Sequence, residues 1–178
     1  MTDTLIRIPS VRTDRLVLRA PMPSDFDAYA DFRCGPRSVT LGGPYTRTQA
    51  RDQLAEIIGH WHLRGFGRWM VSVKTTDEPL GIVGLFHPED WPEPEIAWSV
   101  FDQAEGLGIA AEAALAARAY AYDTLGWTRV VSVISPDNAR SIALARRLEC
   151  THDLDFAHPD MGPMQVWLHA HPAKEKCP

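Results

Sequence analysis

Cysteine is scarce in this sequence. Cys34, Cys150 and Cys177 are three among 178 residues, with no even count to pair and no metal-ligand spacing. That argues against a disulfide framework and for plain thiols in a reducing compartment. Long apolar runs are missing as well: nothing approaches the roughly 18 to 20 residues needed to cross a bilayer, and the N-terminal residues lack the apolar centre of a signal peptide. The expectation is a cytoplasmic protein with no membrane partner. Basic runs are also absent, and 18 Lys and Arg face 23 Asp and Glu for a net charge of -5. Such a balance excludes a surface built to track a nucleic acid backbone, while leaving a cationic small molecule or peptide electrostatically acceptable. What is present is a 45% hydrophobic composition over a length suited to one core. We expect a single domain over residues 1–171 and a disordered tail over 172–178, with no internal repeat or linker.

The chain is organised around residues 103–110, Gln-Ala-Glu-Gly-Leu-Gly-Ile-Ala. An apolar strand pattern precedes them and an alanine-rich helix pattern follows over 107–125. Glycines at such a turn remove the Cβ atoms that would hold a ligand away from the backbone. The first amides of the helix lack intrahelical partners and lie at its positive end. Phosphate satisfies both conditions, so the stretch reads as a diphosphate cradle.

Residues 15–19, Arg-Leu-Val-Leu-Arg, alternate as a half-buried first strand. Ser24 followed by Asp27 resembles a helix cap. The Cys34-Gly-Pro and Gly42-Gly-Pro clusters bound a loop able to flank a site. Thr46 with Gln49 is a capping-box pattern, and Leu54, Ile57, Ile58 and Trp61 share one helical face beyond it. Residues 69–74, 81–86 and 95–101 read as three further strands of an antiparallel meander. After the glycine turn and its helix, which Gly126 is placed to end, residues 129–134 form a β-branched strand. Pro136-Asp-Asn138 starts a short helix to Leu148, and segments 151–156 and 164–169 are placed to pair across a Pro159–Pro163 turn. Strands before the turn and βαβα after it imply an α/β fold with a mixed, mostly antiparallel central sheet flanked by helices.

Three ligand classes use such a cradle. A nucleoside triphosphate P-loop requires a lysine that the turn lacks. Gly106-Leu-Gly108-Ile-Ala-Ala111 satisfies the looser dinucleotide pattern, but a meander precedes it and Asp102 to Glu105 separate it from its strand. The third class rests on an ordered set: a Glu-Ile-Ala-Trp strand, then Gln103-x-x-Gly106-x-Gly108-x-Ala110, then Asn138-x-x-Ser141. This set resembles the GNAT acetyltransferase superfamily, most closely its RimJ/RimL-type branch, over nearly the whole chain. The resemblance implies a V-shaped split between the fourth and fifth strands, acetyl-CoA as co-substrate, no metal, and transfer to a primary amine without a covalent enzyme intermediate. The implied acceptor is a peptide or protein N-terminus or a small-molecule amine, and the implied assembly a monomer or homodimer.

An alkylammonium with a pKa near 10 must lose its proton before it attacks a thioester. Glu95 matches the family's acidic position and is the candidate base, with orientation of the acceptor as its alternative role. The oxyanion requires a donor fixed beforehand, and the family's backbone amide at the split corresponds to Ser99 or Val100. By the same resemblance Leu107, Gly108, Ile109 and Ala110 offer amides to the diphosphate, Gly106 shapes the turn, and Gln103 adds a side-chain donor. Ser141 stands where the family offers a proton to the departing thiolate. Asn138 is placed against the pantetheine, although Asn138 with Ser141 equally describes an ordinary helix N-terminus.

Other residues point less far. His60, His62 and His87 lack a third ligand at a recognisable spacing. Cys150 has no basic partner in sequence. Glu89, Asp90 and Glu93 form an acidic loop able to attract an amine, and Trp69, Trp91 and Trp98 are candidates for an acceptor pocket or for the core. Two departures from the family stand out. Leu148-Glu-Cys150 replaces its common Leu-Gly-Phe, which alters that turn, and Glu105 sets a negative charge beside the proposed diphosphate. The competing functions are a non-catalytic acyl-CoA-binding or regulatory module and, more remotely, an NAD(P)-dependent oxidoreductase.

Overall fold

The computed structural model describes residues 6–171; the expected tail over 172–178 lies outside them. Eight strands form one open sheet. They are β1 (Val11–Arg12), β2 (Leu16–Arg19), β3 (Arg68–Val73), β4 (Pro79–Phe86), β5 (Glu95–Val100), β6 (Val131–Ile134), β7 (Thr151–His158) and β8 (Gly162–Leu168). Their spatial order is β1-β2-β3-β4-β5-β6-β8-β7. Every pairing is antiparallel except β5 with β6, the two strands that flank the glycine turn and its crossover helix. The expected mixed, mostly antiparallel sheet is therefore present, with one strand more than the sequence suggested. That strand, β1, is only two residues long and carries no alternation to read.

Alternation along the strands sends side chains into two cores. Met70 and Ile82 face α1 (Phe26–Cys34) and α2 (Arg47–Arg64), packing with Tyr29, Phe32, Leu54 and Ile57. On the other face Val71, Val83, Leu85 and Ile96 meet α3 (Ile109–Ala119), whose Ala113, Ala114 and Ala117 are fully buried. Small side chains let α3 lie close to β4 and β5, and that closeness aims its N-terminus at the end of β5. A single π turn over Tyr120–Thr124 extends α3, and Gly126 at φ 68° terminates it.

The caps separate local from tertiary control. Thr46 and Gln49 make the expected reciprocal pair: Gln49 N donates to Thr46 Oγ1 at 3.2 Å and Thr46 N to Gln49 Oε1 at 2.9 Å. The expected Ser24–Asp27 cap does not form. Buried Asp25 instead accepts from Met22 N at 2.7 Å, because Arg19 from β2 holds its carboxylate with two bonds of 2.8 and 2.9 Å. Asp27 pairs with Arg47 at the surface. The short helix after β6, α4 (Ala139–Arg147), starts at Asn138 as expected, with Ser141 N donating to Asn138 Oδ1 at 3.1 Å.

Candidate active site

The parallel pair β5/β6 is barely a pair. Its register contains one residue pair, Glu95 with Val131, beyond which the strands splay. Side chains span the opening in place of backbone bonds. Glu95 Oε2 accepts from Val133 N at 2.8 Å, and Ser132 Oγ donates to Ile96 O at 2.7 Å. His169 completes this junction through Nε2, 2.9 Å from Ser132 Oγ. Because the serine proton is already given to Ile96, the imidazole N–H is the donor in that contact. Burial pushes the His169 pKa down to about 3, which keeps the ring neutral.

Along β5, Phe101 N donates to Leu80 O at 2.8 Å, and Ile96 O faces Ser132. Strand alternation then turns the backbone groups of Trp98 and Val100 toward the split and those of Ser99 toward β4. Of the two expected oxyanion positions, Val100 thus presents its amide to the opening, while Ser99 lies beside it with its backbone committed to the ladder.

Two cavities meet at this split. One, of about 600 Å³, runs along the glycine turn and is lined by Val100, Gly106, Gly108, Ile109 and Ala110. The other, of about 450 Å³, lies beyond β5 and is lined by Glu95, Trp91, Tyr29 and Arg68. Trp98, Ser99, Asn138 and Ser141 line both.

In the glycine-turn cavity, Gly106 and Gly108 take φ of 73° and 77°, a left-handed conformation that L side chains rarely adopt. A Cβ on Gly106 would meet nothing within 4 Å, so the backbone path itself demands the glycine. The first helical bond of α3 runs from Glu112 N to Gly108 O at 3.1 Å, leaving the amides of Ile109, Ala110 and Ala111 without intrahelical partners. Arg37, Arg140 and Arg147 also line this cavity, and Arg37 Nε is buried with no partner among the described residues. Free amides at a helix N-terminus, open glycines and arginines with unspent donors suit a diphosphate-bearing cofactor. Two expected contributors sit differently. Gln103 Nε2 donates to Pro79 O at 3.1 Å, outside the cavity lining, and Leu107 turns its side chain to solvent. The Leu107 carbonyl is held by Arg15 at 3.2 Å, and Arg15 in turn pairs with Glu112 at 2.7 Å, which fixes the turn against β2.

Glu105 has a structural explanation that sequence alone did not offer. Its carboxylate bridges Arg140 at 2.8 Å and Arg37 at 3.2 Å, so a side chain from each wall of the cavity meets on it. Arg37 also holds Asp102 at 2.8 Å. The expectation of an altered turn at Leu148-Glu-Cys150 is corrected as well. Glu149 adopts φ 62°, the left-handed conformation usual for glycine at that place, and Cys150 N still bonds Ala145 O at 2.9 Å. The turn persists, with a strained side chain in it.

Glu95 is 5% exposed, and desolvation pushes its pKa from an ordinary 4.5 up to about 7 despite the Val133 N–H and the nearby Arg68 charge. The Trp91 indole N–H points toward this carboxylate but falls short of hydrogen-bond geometry to any described group. A buried acid poised near neutrality can receive a proton at physiological pH. Across the junction, Ser141 Oγ accepts from Trp98 Nε1 at 3.1 Å, which leaves its own proton unassigned to any described acceptor. Asn138 spends Oδ1 on the cap and keeps both amide protons.

The remaining candidates are accounted for by their contacts. Cys150 is buried, with its thiol pushed up to about 12 by desolvation. Trp69 belongs to the core and donates to Pro9 O at 2.7 Å. Of the acidic loop, Glu93 pairs with Arg129 at 2.5 Å and Glu89 with Arg64, leaving Asp90 on the cavity wall. His60 joins Phe66 O at 2.8 Å and His87 N at 3.1 Å, a bracket between α2 and the end of β4. The ligand atoms of Asp90, His158 and Asp160 lie within 4.8 Å of one another. Yet His158 Nδ1 accepts from the amides of Asp160 and Met161, both at 3.1 Å, so Nε2 carries the proton given to Asp90 at 2.8 Å. Neither ring nitrogen retains a lone pair for a cation.

A sheet split after its fifth strand, with a glycine turn and free helix amides on one side and a buried acid on the other, has a counterpart among known proteins. Residues 15–151 match the family model described as acetyltransferase (GNAT) domain. The chain belongs to the GNAT acetyltransferase family. Within that family it is similar to the crystal structure of an acetyltransferase from Agrobacterium tumefaciens, with 36% identity, a TM-score of 0.85, and coverage of 96% of this chain and 99% of the other. It is also 29% identical over 141 residues to p20 of Bacillus licheniformis, an uncharacterized N-acetyltransferase, covering 76% of this chain and 79% of p20. The RimL ribosomal L7/L12 α-N-protein acetyltransferase in complex with coenzyme A shares the fold, at 20% identity and a TM-score of 0.70, with 93% and 99% of the two chains covered. As a GNAT protein the chain is an N-acetyltransferase, which favours acyl transfer over the dinucleotide-dependent redox chemistry that its glycine pattern also allowed. Among the described residues no helix is long and apolar enough to cross a membrane.

Proposed function

We propose that this GNAT protein transfers the acetyl group of acetyl-CoA to a primary amine by direct attack, with Glu95 as proton acceptor and Ser141 as proton donor. The observation that carries this reading is the meeting of the two cavities at Trp98, Ser99, Asn138 and Ser141. In this reading the diphosphate lies against the amides of Ile109 to Ala111 in the larger cavity, with Arg37 and Arg140 beside it, and the amine enters the smaller one. Glu95 takes the ammonium proton, directly or through water. The amine nitrogen then forms a bond to the thioester carbonyl carbon while the Val100 amide faces the developing oxyanion. The carbon–sulfur bond breaks, the thiolate takes the Ser141 proton, and the second proton of the attacking nitrogen passes through water to Ser141, which restores the hydroxyl and leaves a neutral amide. The acetylated amine and free CoA thiol are the products, and no enzyme atom is acylated. The acceptor is a peptide or protein N-terminus or a small amine, met in the cytoplasm, a setting that the free thiols Cys34 and Cys150 suit.

Release of free thiol from acetyl-CoA in the presence of an amine panel tests the reading. Ser141→Ala should lower kcat by about a hundredfold, within the usual range for a general acid. Its CoA dissociation constant should stay within a few-fold. Turnover by Ser141→Ala at the parental rate removes Ser141 from the mechanism. Tight CoA binding without turnover on any amine instead supports a non-catalytic acyl-CoA-binding module.

A further inference from the structure

The smaller cavity is lined by two arginines that, among the described residues, make no ion pair. Arg68, at the start of β3, lies over the Phe86 ring with its guanidinium carbon 4.1 Å from the ring centre. Its Nε is buried without a hydrogen-bond partner. Arg33, on α1, spends only Nε, on Gln53 Oε1 at 2.7 Å, and rests over the Tyr45 ring at 4.4 Å. Among the described residues neither arginine makes an ion pair, whereas Arg19 and Arg129 each hold two carboxylates. Both cavity arginines act electrostatically on the Tyr29 phenol and on each other. The carboxylates that act on Arg68 through their charge are Glu95 and Glu56, and among the described residues it forms an ion pair with neither. Two mutually repelling cations fixed on aromatic faces, one with an orphaned buried donor, are complementary to an anion. They share the cavity with Glu95, the proposed amine-side base.

We propose that the acceptor is a small primary amine carrying an anionic group, such as a carboxylate, which Arg68 and Arg33 receive while the amine lies toward Glu95. This rests on the acetyltransferase reading above and narrows its acceptor. Glu56, Asp90 and Asp160 also line the cavity, and none of them forms an ion pair with either arginine. A second ammonium placed at the arginine pair, as in a polyamine, would be repelled there, and an unfunctionalised alkylamine would leave both guanidiniums without an ion-pair partner. The planar, bidentate fork favours carboxylate or phosphonate over a neutral amide.

Thiol release measured on matched acceptors tests the inference: 4-aminobutyrate and 3-aminopropylphosphonate against n-butylamine, and β-alanine against β-alaninamide. The anionic member of each comparison should show a kcat/KM at least tenfold higher. Arg33→Met and Arg68→Met should each reduce that preference about tenfold, mainly through the acceptor KM, with the acetyl-CoA KM unchanged. Equal or better use of the neutral members overturns the inference while leaving the acetyltransferase reading intact. A preference between the first two acceptors tells carboxylate from phosphonate. Should no amine turn over, that reading fails separately, and calorimetric titration of N-acetyl-β-alanine and its amide into the CoA-saturated protein decides the inference. Tenfold tighter binding of the carboxylate, lost in Arg33→Met, supports it; equal or undetectable binding of the two overturns it.

Discussion

Glu95 makes a structural bond across the split and is the proposed proton acceptor, and replacing it by glutamine separates the two. A glutamine carbonyl can still accept from Val133 N, so the bond across the split survives, whereas alanine would leave a buried N–H unpaired at a cost of about 1–3 kcal/mol. The magnitude follows from the displaced pKa. A carboxyl moved from 4.5 to about 7 by desolvation makes the ionised form less stable in the folded protein by about 3 kcal/mol, at roughly 1.4 kcal/mol per pKa unit. The folded-state pKa is the higher one, so the acid's contribution to stability is fully present below about 4.5. It declines as pH rises and is lost by the time pH has passed about 7. Glutamine does not ionise. Denaturant unfolding should therefore show the Glu95→Gln protein gaining on the parent by about 2–3 kcal/mol between pH 5 and pH 8. In parallel, the kcat/KM profile of the parent should contain an ascending limb near pH 7 that the glutamine variant lacks, with kcat lowered at least a hundredfold. A stability difference that does not change with pH, or a limb that persists in Glu95→Gln, refutes the reasoning.

Glu105→Gln should tighten CoA binding by about threefold at low ionic strength, with the difference shrinking in high salt, because it removes the carboxylate that holds Arg140 and one of the two that hold Arg37 beside the proposed diphosphate site. Weaker binding in a calorimetric titration would mean that Glu105 is needed to position the two arginines. Glu149→Gly should raise the melting temperature by about 1–3 °C. Relief of left-handed strain, about 1–2 kcal/mol, exceeds the added entropy of glycine in the unfolded chain, about 0.5–1 kcal/mol. A lower melting temperature would show that contacts of the Glu149 side chain outweigh the strain.

How far the sequence reached depended on whether a feature is local. Thr46 with Gln49 and Asn138 with Ser141 each lie within one helical turn, and both caps form where their spacing placed them. The strands bounding the split were legible from an apolar pattern over 95–101 and a β-branched one over 129–134, and the glycine turn from its order between them. Ser24 with Asp27 has the same local spacing as a real cap, yet Arg19, a neighbour only in the folded sheet, selects Asp25 instead. Gln103 looked like a ligand donor from its place in the motif, but the carbonyl it meets is Pro79, on the adjacent β4. The smaller cavity was the least legible part. Arg33, Arg68 and Trp91 come from α1, β3 and the loop before β5, and no spacing in the chain links them. Glu105 was equally opaque, since its two partners lie some 68 positions before it and 35 after it by residue number.

The Glu95 bond to Val133 also bears on how this position can change over generations. A lineage that abandoned catalysis would still need a hydrogen-bond acceptor there to keep the two strands joined at the mouth of the split. Selection on folding alone accepts glutamine as readily as glutamate and, at pH 8, prefers it. Retention of the acid among relatives would therefore record selection for proton transfer, and drift to glutamine would mark descendants that kept the fold and gave up the reaction.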